Sequence, residues 1–336
     1  MTLLKTSAKM FHKLKYLLNS RDLFRNWLIA GVKYLLIRYG LIKGDIIIKC
    51  SNSIFTLDPK VYSFIISAYY NEYLKDISCG DMLRGRLWDI IDFVILKDGR
   101  GFLKMPDDVV VSLESFDPLI ISETWLYDIH FLGFDLTDYL IIDVGAFVGD
   151  TALYYAKRGA FVIAVEPLPS NYEVMLRNIE LNPDLKPRII PINVAIGAKD
   201  DIIEFSYDSS VDGSAGIYGR GRFKVRVGQT KLSTLIKEIV KRGINLDSYK
   251  IKVLKMDCKG CEYDVINEID MLKLFDIVKI EYSGYLRDKT YHEPKKTLKD
   301  IGFKCRAWAH NEVAFRIGLD RHGMLTCVKN YEGLIR

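Results

Sequence analysis

The sequence has 336 residues, of which 49% are hydrophobic and 27% are charged, a composition typical of a folded soluble protein with one large or two smaller domains. It contains no run of about 20 uninterrupted apolar residues, no signal-peptide cleavage pattern and no fixed-period repeat, which predicts a cytoplasmic protein and excludes membrane-spanning and repeat architectures. The net charge of +5 is modest, and the single glutamine among many charged residues resembles the composition of hyperthermophile proteins.

The basic residues are concentrated in segment 1–43, which contains nine lysines and arginines against one aspartate. Apolar residues near helical spacing, among them Trp27, Leu28 and Val32, alternate with these cations and predict one or two amphipathic helices, broken near 19–22. Such helices can lie on an anionic membrane surface or pack on their own domain with a solvated basic face. The pattern favours packing on the domain.

Residues 44–136 predict a small α+β N-terminal domain. Short β-like runs alternate there with one helical piece around 59–73. The dipeptide Asp98-Gly99 predicts a hairpin between two of the strands. No catalytic constellation stands out in this region.

Residues 137–336 change to alternating strands and helices, which is the pattern of a parallel sheet. The predicted parallel strands are 139–144, 161–165, 188–194, 252–257 and 276–282. The predicted helices are 150–158, 169–181, 230–242 and 293–301, and further β runs lie at 201–207 and 223–228. A closing antiparallel pair is expected at 303–309 and 312–318. The fold class is therefore α/β, a Rossmann-like seven-stranded sheet preceded by an α+β region.

The segment DVGAFVGD, residues 143–150, joins the first parallel strand to its helix. A dinucleotide site would have a glycine where Phe147 stands, because that glycine lets the backbone approach a pyrophosphate. Asp143 would repel phosphate and suits a cation, while Glu166 ends the next strand, where a ribose diol is bound. S-adenosylmethionine has a ribose, a sulfonium and an ammonium but no phosphate. The turn therefore predicts this cofactor rather than NAD.

The candidate cofactor-binding residues lie at the carboxyl ends of the strands, where ligands bind in open α/β sheets. Asp143 or Asp150 is expected near the ammonium, and the end of the third strand near the adenine. The full set is Asp143, Gly145, Ala146, Gly149, Asp150, Glu166, Pro167, Asn193, Ala195 and Asp257.

The segment LKMDCKGCEYDVI, residues 254–266, is the second informative stretch. With IDVGAFVGD, VEP, TKLSTLI and VKIEYSGY, it resembles the FkbM family of S-adenosylmethionine-dependent methyltransferases over residues 139–310. The resemblance implies a seven-stranded class I methyltransferase fold and O-methylation of a sugar, glycan or other hydroxylated small molecule. The family motif reads D-x-E-G-x-E; Asp257, Gly260 and Glu262 match it, but Lys259 replaces the usual glutamate.

A sugar hydroxyl is a poor nucleophile, so methyl transfer to it needs a general base in addition to alignment. Asp257, at the end of the fourth parallel strand, is the first candidate, followed by Glu281 on the fifth strand and then by His292. The alternative roles are a helix N-cap for Asp257, a salt bridge for Glu281 and an exposed loop position for His292.

The cysteines do not predict a metal site. Cys258-x-x-Cys261 supplies two ligands, and neither Cys305 nor Cys327 belongs to a second such pair. A disulfide across the 258–261 turn stays open, whereas six cysteines in a chain of this length do not predict a disulfide scaffold.

Two other functions stay open besides methylation of a small molecule. One is ribose or guanine methylation of RNA, with the basic N-terminus on the phosphates; the Pro-Pro motif of base-amine methylation is missing. The other is a catalytically silent binding module, against which Asp143, Gly145, Gly149 and Glu166 argue. The acceptor, the metal dependence and the oligomeric state are not set by the sequence.

Overall fold

The computed structural model describes residues 18, 20–115, 117–131, 133–208, 211–216, 221–282, 290–309 and 323–329. The chain divides into two compact units, Met1–Phe116 and Asp117–Arg336. The sequence predicts the boundary between the α+β domain and the Rossmann-like domain at 136/137. In the structure, segment 117–136 instead belongs to the second unit, in which Trp125 packs edge-on against the ring of Tyr154.

In its described residues the first unit combines two α-helices with two small antiparallel sheets. Its helices are α1 (Trp27–Arg38) and α2 (Pro59–Tyr70). Its strands are β1 (Ile46–Cys50), β2 (Ser53–Leu57), β3 (Leu74–Cys79), β4 (Leu83–Leu87), β5 (Ile91–Ile95), β6 (Gly101–Lys104) and β7 (Val110–Ser112). Strands β1 and β2 form a hairpin, and β3 to β7 form a five-stranded meander in sequence order. The hairpin predicted at Asp98-Gly99 joins β5 to β6, and Gly99 has the positive φ of +90° that its turn requires.

Helix α1 packs on its unit through small residues. Ala30 and Gly31 are buried, whereas Leu28 is 59% exposed, Ile29 71% and Val32 47%. The predicted packing is therefore only partial, because these three apolar side chains are exposed, while Trp27 and the residues from Tyr34 to Ile37 are half-buried. The first predicted helix, in residues 1–17, lies outside the described residues.

The second unit contains the larger sheet. Its helices are α3 (Pro118–Ile121), α4 (Asp150–Lys157), α5 (Pro169–Glu180), α6 (Leu232–Lys241), α7 (Glu262–Val265), α8 (Ile269–Leu272) and α9 (His292–Asp300). Its strands are β8 (Tyr139–Val144), β9 (Phe161–Val165), β10 (Ile189–Ile192), β11 (Ala195–Ile196), β12 (Asp201–Tyr207), β13 (Phe223–Thr230), β14 (Ile251–Met256), β15 (Ile277–Tyr282), β16 (Lys304–Ala309) and β17 (Gly323–Val328). A π-helical turn at Ser122–Leu126 continues α3.

Seven strands form a mixed sheet in the order β10-β9-β8-β14-β15-β17-β16, and β11, β13 and β12 form a separate small sheet. The first five strands of the large sheet are parallel, and β17 is antiparallel to both of its neighbours. This confirms the predicted Rossmann-like α/β fold with a closing antiparallel pair. The partner of β16 is Gly323–Val328; the segment 312–318, predicted for that place, lies outside the described residues.

The parallel strands form because their sequences are apolar and β-branched, as strands buried on both faces require. In β8 and β9 the residues from Leu140 to Val144 and from Val162 to Val165 are all buried. No helix in the described part of the chain is long and apolar enough to cross a membrane.

All six cysteines are paired, as Cys50–Cys79, Cys258–Cys261 and Cys305–Cys327. The expectation that six cysteines would not form a disulfide scaffold is therefore wrong, and the disulfide across the 258–261 turn, which the sequence left open, is present. Sequence spacing did not reveal the other two pairs, because their partners are 29 and 22 residues apart and lie on different strands, β1 and β3 in separate sheets and β16 and β17 in one sheet. Cys305 and Cys327, for example, are direct partners in the register of β16 and β17.

Candidate active site

The candidate site lies where β8 and β14 end side by side. Strand β9 follows on one side of β8, and β15 on the far side of β14, so the connections diverge at this point. Such a switch point opens a crevice at the carboxyl ends of the strands. The turns after β8, β9 and β14 therefore converge with the carboxyl end of β15, and together they carry most of the residues that the sequence singles out.

Gly145 and Asp257 bring the turns after β8 and β14 into direct contact. Gly145 has φ +81°, and a Cβ at this position would lie 2.0 Å from the carbonyl oxygen of Asp257. The N–H groups of Gly145 and Ala146 both donate to the carbonyl of Val165, at 2.9 and 3.0 Å. Gly149, with φ +80°, precedes α4 and packs on Met175. The glycine spacing of the first motif thus serves close backbone contact.

Asp143 lies beneath this turn and is fully buried. Its carboxylate lies 2.9 Å from the Nζ of Lys255 and accepts a 2.6 Å hydrogen bond from the hydroxyl of Thr151. Burial alone would lower the pKa of Lys255, but Asp143 and then Asp257 outweigh it and raise that pKa above its ordinary value. Asp143 thus anchors the turn through a buried ion pair.

Glu166 ends β9 and is 5% exposed. Its Oε1 accepts hydrogen bonds from the N–H of Leu168 (2.9 Å) and the amide of Asn171 (3.2 Å), and its Oε2 accepts one from the N–H of Phe147 (3.0 Å). Burial raises its pKa to about 7 despite these donors. A carboxylate has about four acceptor positions, so Oε2 retains room for one more donor.

The other predicted cofactor residues surround Glu166 or begin α4. The side chain of Asn193 donates to the carbonyls of Glu166 (2.8 Å) and Pro167 (3.1 Å), which fixes the loop after β9. Ala195 is buried in β11. Asp150 opens α4 and is 6% exposed, and burial raises its pKa to about 7.

Asp257 and Glu281 form a pair of carboxyl groups at the ends of β14 and β15. The parallel register pairs Met256 with Ile280, so the next residue on each strand is brought alongside the other. A hydrogen bond joins the two carboxyls, and the Nζ of Lys259 lies 3.0 Å from Oδ1 of Asp257. The two leading candidates for the general base are therefore in contact.

The pair ionises asymmetrically. Burial opposes ionisation of Asp257, but Lys259 and Lys255 outweigh it and lower its pKa to about 2. Burial, followed by the charge of Asp257, raises the pKa of Glu281 to about 8. Near neutral pH the pair therefore holds one proton, chiefly on Glu281, as expected of two adjoining carboxyls.

His292 is not part of the pair. It is exposed at the start of α9, where its ring packs against Tyr291 at 4.2 Å between centroids, and its backbone N–H donates to the hydroxyl of Thr290.

Sequence reasoning missed the buried lysines of the sheet. Lys255 and Lys279 are direct partners in the register of β14 and β15, and both are about 5% exposed or less. The Nζ of Lys279 donates to the carbonyl of His130 and lies over the ring of Phe131, and burial lowers its pKa to about 7. The available signal was the presence of lysines within two mainly apolar strands, IKVLKM and IVKIEY.

A protein-family model described as "Methyltransferase FkbM domain" matches residues 143–305. This range contains the turn after β8, both carboxyls of the pair and the 258–261 turn. No curated protein is significantly similar to the chain in sequence.

Several solved structures are similar in fold. An FkbM methyltransferase from Methylobacillus flagellatus is 14% identical with a TM-score of 0.40, and the match covers 58% of this chain but only 45% of that protein. TYW2 from M. jannaschii, solved with AdoMet, is 14% identical with a TM-score of 0.37 and coverage of 70% and 89%. Fibrillarin from Aeropyrum pernix, solved with natively bound S-adenosyl-L-methionine, is 13% identical with a TM-score of 0.36 and coverage of 76% and 99%.

Proposed function

We propose that this chain transfers a methyl group from S-adenosylmethionine to a hydroxyl of a sugar, a glycan or another hydroxylated small molecule, because a family model of the methyltransferase FkbM domain matches residues 143–305. The observation that supports hydroxyl methylation most directly is the carboxyl pair of Asp257 and Glu281 beside the Gly145 turn. A hydroxyl acceptor loses a proton during methylation, and this pair can receive it.

The residues around the turn fit this cofactor. Four acidic side chains, those of Asp143, Asp150, Glu166 and Asp257, are gathered where a ligand with two positive charges would be held. The Oε2 of Glu166 would accept a ribose hydroxyl, Asp150 would face the ammonium, and the loop fixed by Asn193 would border the adenine. When bound, the cofactor supplies an electrophilic methyl group.

The residues of the chain would align the acceptor and remove its proton. The acceptor oxygen must lie in line with the bond that breaks, so its orientation contributes much of the rate. Asp257, ionised and held by Lys259, orients the acceptor hydroxyl, and Glu281 takes up the proton once the pair has lost the one it shares. The proton then leaves to solvent, and the products are the methyl ether and S-adenosylhomocysteine.

The acceptor class is tested by incubating the protein and methyl-labelled S-adenosylmethionine with free sugars, sugar phosphates, glycans and RNA. Label in an alkali-stable ether of a carbohydrate is the expected result. Label in RNA that falls steeply between about 50 and 200 mM salt would replace this proposal by the RNA alternative. Cofactor binding without transfer to any acceptor class would support the silent binding module.

A peripheral membrane contact of the first unit is a separate proposal. It is supported by the outward apolar side chains of Leu28, Ile29 and Val32 on a helix that ends in Arg38. Such a surface suits anionic lipid, since apolar burial and cation attraction act together.

Sedimentation with phosphatidylglycerol vesicles tests this contact, with phosphatidylcholine vesicles as the comparison. Ile29→Glu is expected to reduce binding at least about tenfold. Ile202→Glu, at a position on β12 that is 58% exposed, serves as the matched control and should bind as the natural protein does. Equal binding of the two variants, or none to anionic vesicles, would contradict the contact.

A further inference from the structure

The turn after β14 joins two features that the proposed reaction leaves unexplained. A disulfide links Cys258 to Cys261, and Lys259 stands between them with a positive φ of +53°. A non-glycine residue adopts this left-handed conformation only rarely, so the surrounding structure has to hold it. Gly260, with φ +132°, completes the turn.

The disulfide closes this turn over three residue steps and thereby limits the conformations of Lys259 and Gly260. The N–H of Gly260 donates a 2.5 Å hydrogen bond to the carboxyl of Glu262 at the start of α7. The turn is thus fixed at both ends, covalently by the two sulfurs and by this hydrogen bond.

The side chain of Lys259 returns along the turn to Asp257, where Nζ lies 3.0 Å from Oδ1. Both side chains are largely shielded from solvent, with exposed fractions of 19% and 27%. A cation so placed favours the ionised carboxylate. The pKa of Asp257 is indeed low although burial opposes it, and Lys259 is the largest contribution in that direction.

A displacement of this turn would reach the rest of the site. The carbonyl oxygen of Asp257 touches Gly145, where even a methyl group would lie 2.0 Å away. The carboxyl of Asp257 is also hydrogen-bonded to Glu281. The conformation of the 258–261 turn therefore bears on the first turn and on the carboxyl pair together.

We infer that the Cys258–Cys261 disulfide and Lys259 together form a positioning device: the disulfide holds the turn in which the Lys259 ammonium reaches Asp257, and this contact keeps Asp257 ionised beside Glu281. The inference rests on the proposed function for its effect on turnover but not for its effect on the carboxyl groups. Lys259 acts here through Asp257 and is a positioning residue. It takes the place of the glutamate that is usual at this motif position, and so gives the pair a cationic neighbour.

The device is sensitive to thiols. A small dithiol reductant would attack the half-buried sulfur of Cys258 in preference to that of Cys261, which belongs to a residue 6% exposed. The reductant gives up two electrons and two protons and becomes a disulfide, while Cys258 and Cys261 become two thiols. The released turn can then leave the left-handed conformation at Lys259.

Two comparisons test the inference in the 336-residue chain. The first pairs Cys258→Ser/Cys261→Ser with the control Cys50→Ser/Cys79→Ser, which removes a disulfide of the other unit. The second pairs Lys259→Met with Lys259→Arg, which retains the cation and both cysteines. Circular dichroism confirms that each variant is folded.

The deciding readout is the ionisation of the carboxyls, followed by NMR of side chains labelled with carbon-13. Loss of the cation in Lys259→Met, or of the disulfide in the first double variant, should raise the pKa of Asp257 by about 1–3. Lys259→Arg and the control double variant should leave it unchanged. This readout needs no methyl acceptor, so it stands even if the proposed reaction fails.

Once a methyl acceptor is known, turnover can be measured as well. Lys259→Met and Cys258→Ser/Cys261→Ser should each lower kcat at least about tenfold, while they bind S-adenosylhomocysteine within about threefold of the natural protein. An unchanged pKa of Asp257 in both Lys259→Met and Cys258→Ser/Cys261→Ser would overturn the inference. So would a shifted pKa in Lys259→Met alone, because the disulfide would then have no part in placing the cation.

Discussion

Glu281 is the member of the carboxyl pair whose ionisation changes in the range where enzymes are assayed. Burial and the adjoining charge of Asp257 raise its pKa to about 8. The pair can therefore accept a proton from the methyl acceptor only after Glu281 has lost its own proton. We therefore expect kcat/KM to rise with pH through about 8 and then to level off. Initial rates from pH 6 to 9.5 measure this profile.

Glu281→Gln keeps the shape of the side chain but cannot accept a proton. Its turnover should fall about 10²–10⁴-fold, and the rise through pH 8 should disappear, while S-adenosylhomocysteine binds as before. A variant that retains the rise would show that another group receives the proton.

Gly145 tests whether contact between the two turns is required. Gly145→Ala would place a methyl group 2.0 Å from the carbonyl oxygen of Asp257 and force alanine to φ +81°. The left-handed backbone alone costs about 1–2 kcal/mol, so we expect a clearly lower free energy of unfolding by urea and weaker S-adenosylhomocysteine binding. Gly216→Ala, where nothing lies within 4 Å of the added carbon, is the control. Equal stability of the two variants would refute the requirement.

At the scale of the strands, a buried ion pair links β8 to β14 in the centre of the large sheet. Asp143 and Lys255 are direct partners in the register, and their side chains are 0% and 5% exposed. Lys255→Met leaves Asp143 buried without its cation, which should cost about 3–5 kcal/mol in urea unfolding. Adding Asp143→Asn should recover part of that loss.

The matched control is Lys186→Met, which removes an exposed ion pair with Glu180 at 2.6 Å. Exposed pairs contribute about 0–1 kcal/mol, so this variant should be nearly as stable as the natural protein. A cost for Lys255→Met no larger than that of Lys186→Met would mean that water reaches Asp143.

Elements with long apolar patterns could be predicted from the sequence, and those with mixed patterns could not. Strands β8 and β9 have the predicted bounds because each is one apolar run between a turn and a charged residue. Strands β3 and β4 were missed because LKDISC and LRGRL are largely polar and exposed. The pairing of Asp257 with Glu281 depends on the register of β14 and β15. The sequence of neither segment determines this register, because the paired residues are 24 positions apart in the chain. The buried lysines were missed for the same reason, since their partners come from other strands.

At the scale of the whole molecule, the buried carboxyls make stability depend on pH. Burial raises the pKa values of Asp150, Glu166 and Glu262 to about 7, and burial with Asp257 raises that of Glu281 to about 8. Unfolded carboxyls lose their protons near pH 4, so between about pH 5 and 7 the folded protein binds more protons. The free energy of unfolding should therefore fall as pH rises through this window.

Lys279 acts in the opposite sense at higher pH. Burial lowers its pKa to about 7, whereas an unfolded lysine holds its proton to about pH 10, so its contribution to stability rises above pH 7. Urea titrations at pH 5, 6 and 7 measure the net effect: the four raised carboxyls make stability fall with pH, and His130, whose pKa burial lowers well below its ordinary value, acts against them in the same range. Glu262→Gln should reduce the slope by at most about 1.4 kcal/mol per pH unit, whereas Glu180→Gln, at an exposed position, should not. A flat or rising profile from pH 5 to 7 would contradict the burial of these carboxyls.

The measurement that tests the central claim most directly is calorimetric titration of the 336-residue chain with S-adenosylmethionine, S-adenosylhomocysteine and NAD. We expect both adenosyl ligands to bind with a Kd on the order of 1 µM, or about −8 kcal/mol, NAD not to bind, and Glu166→Gln to bind the adenosyl ligands at least about tenfold more weakly. Binding of NAD, or of neither adenosyl ligand, would contradict the assignment of the crevice between β8 and β14 as a methyl-donor site.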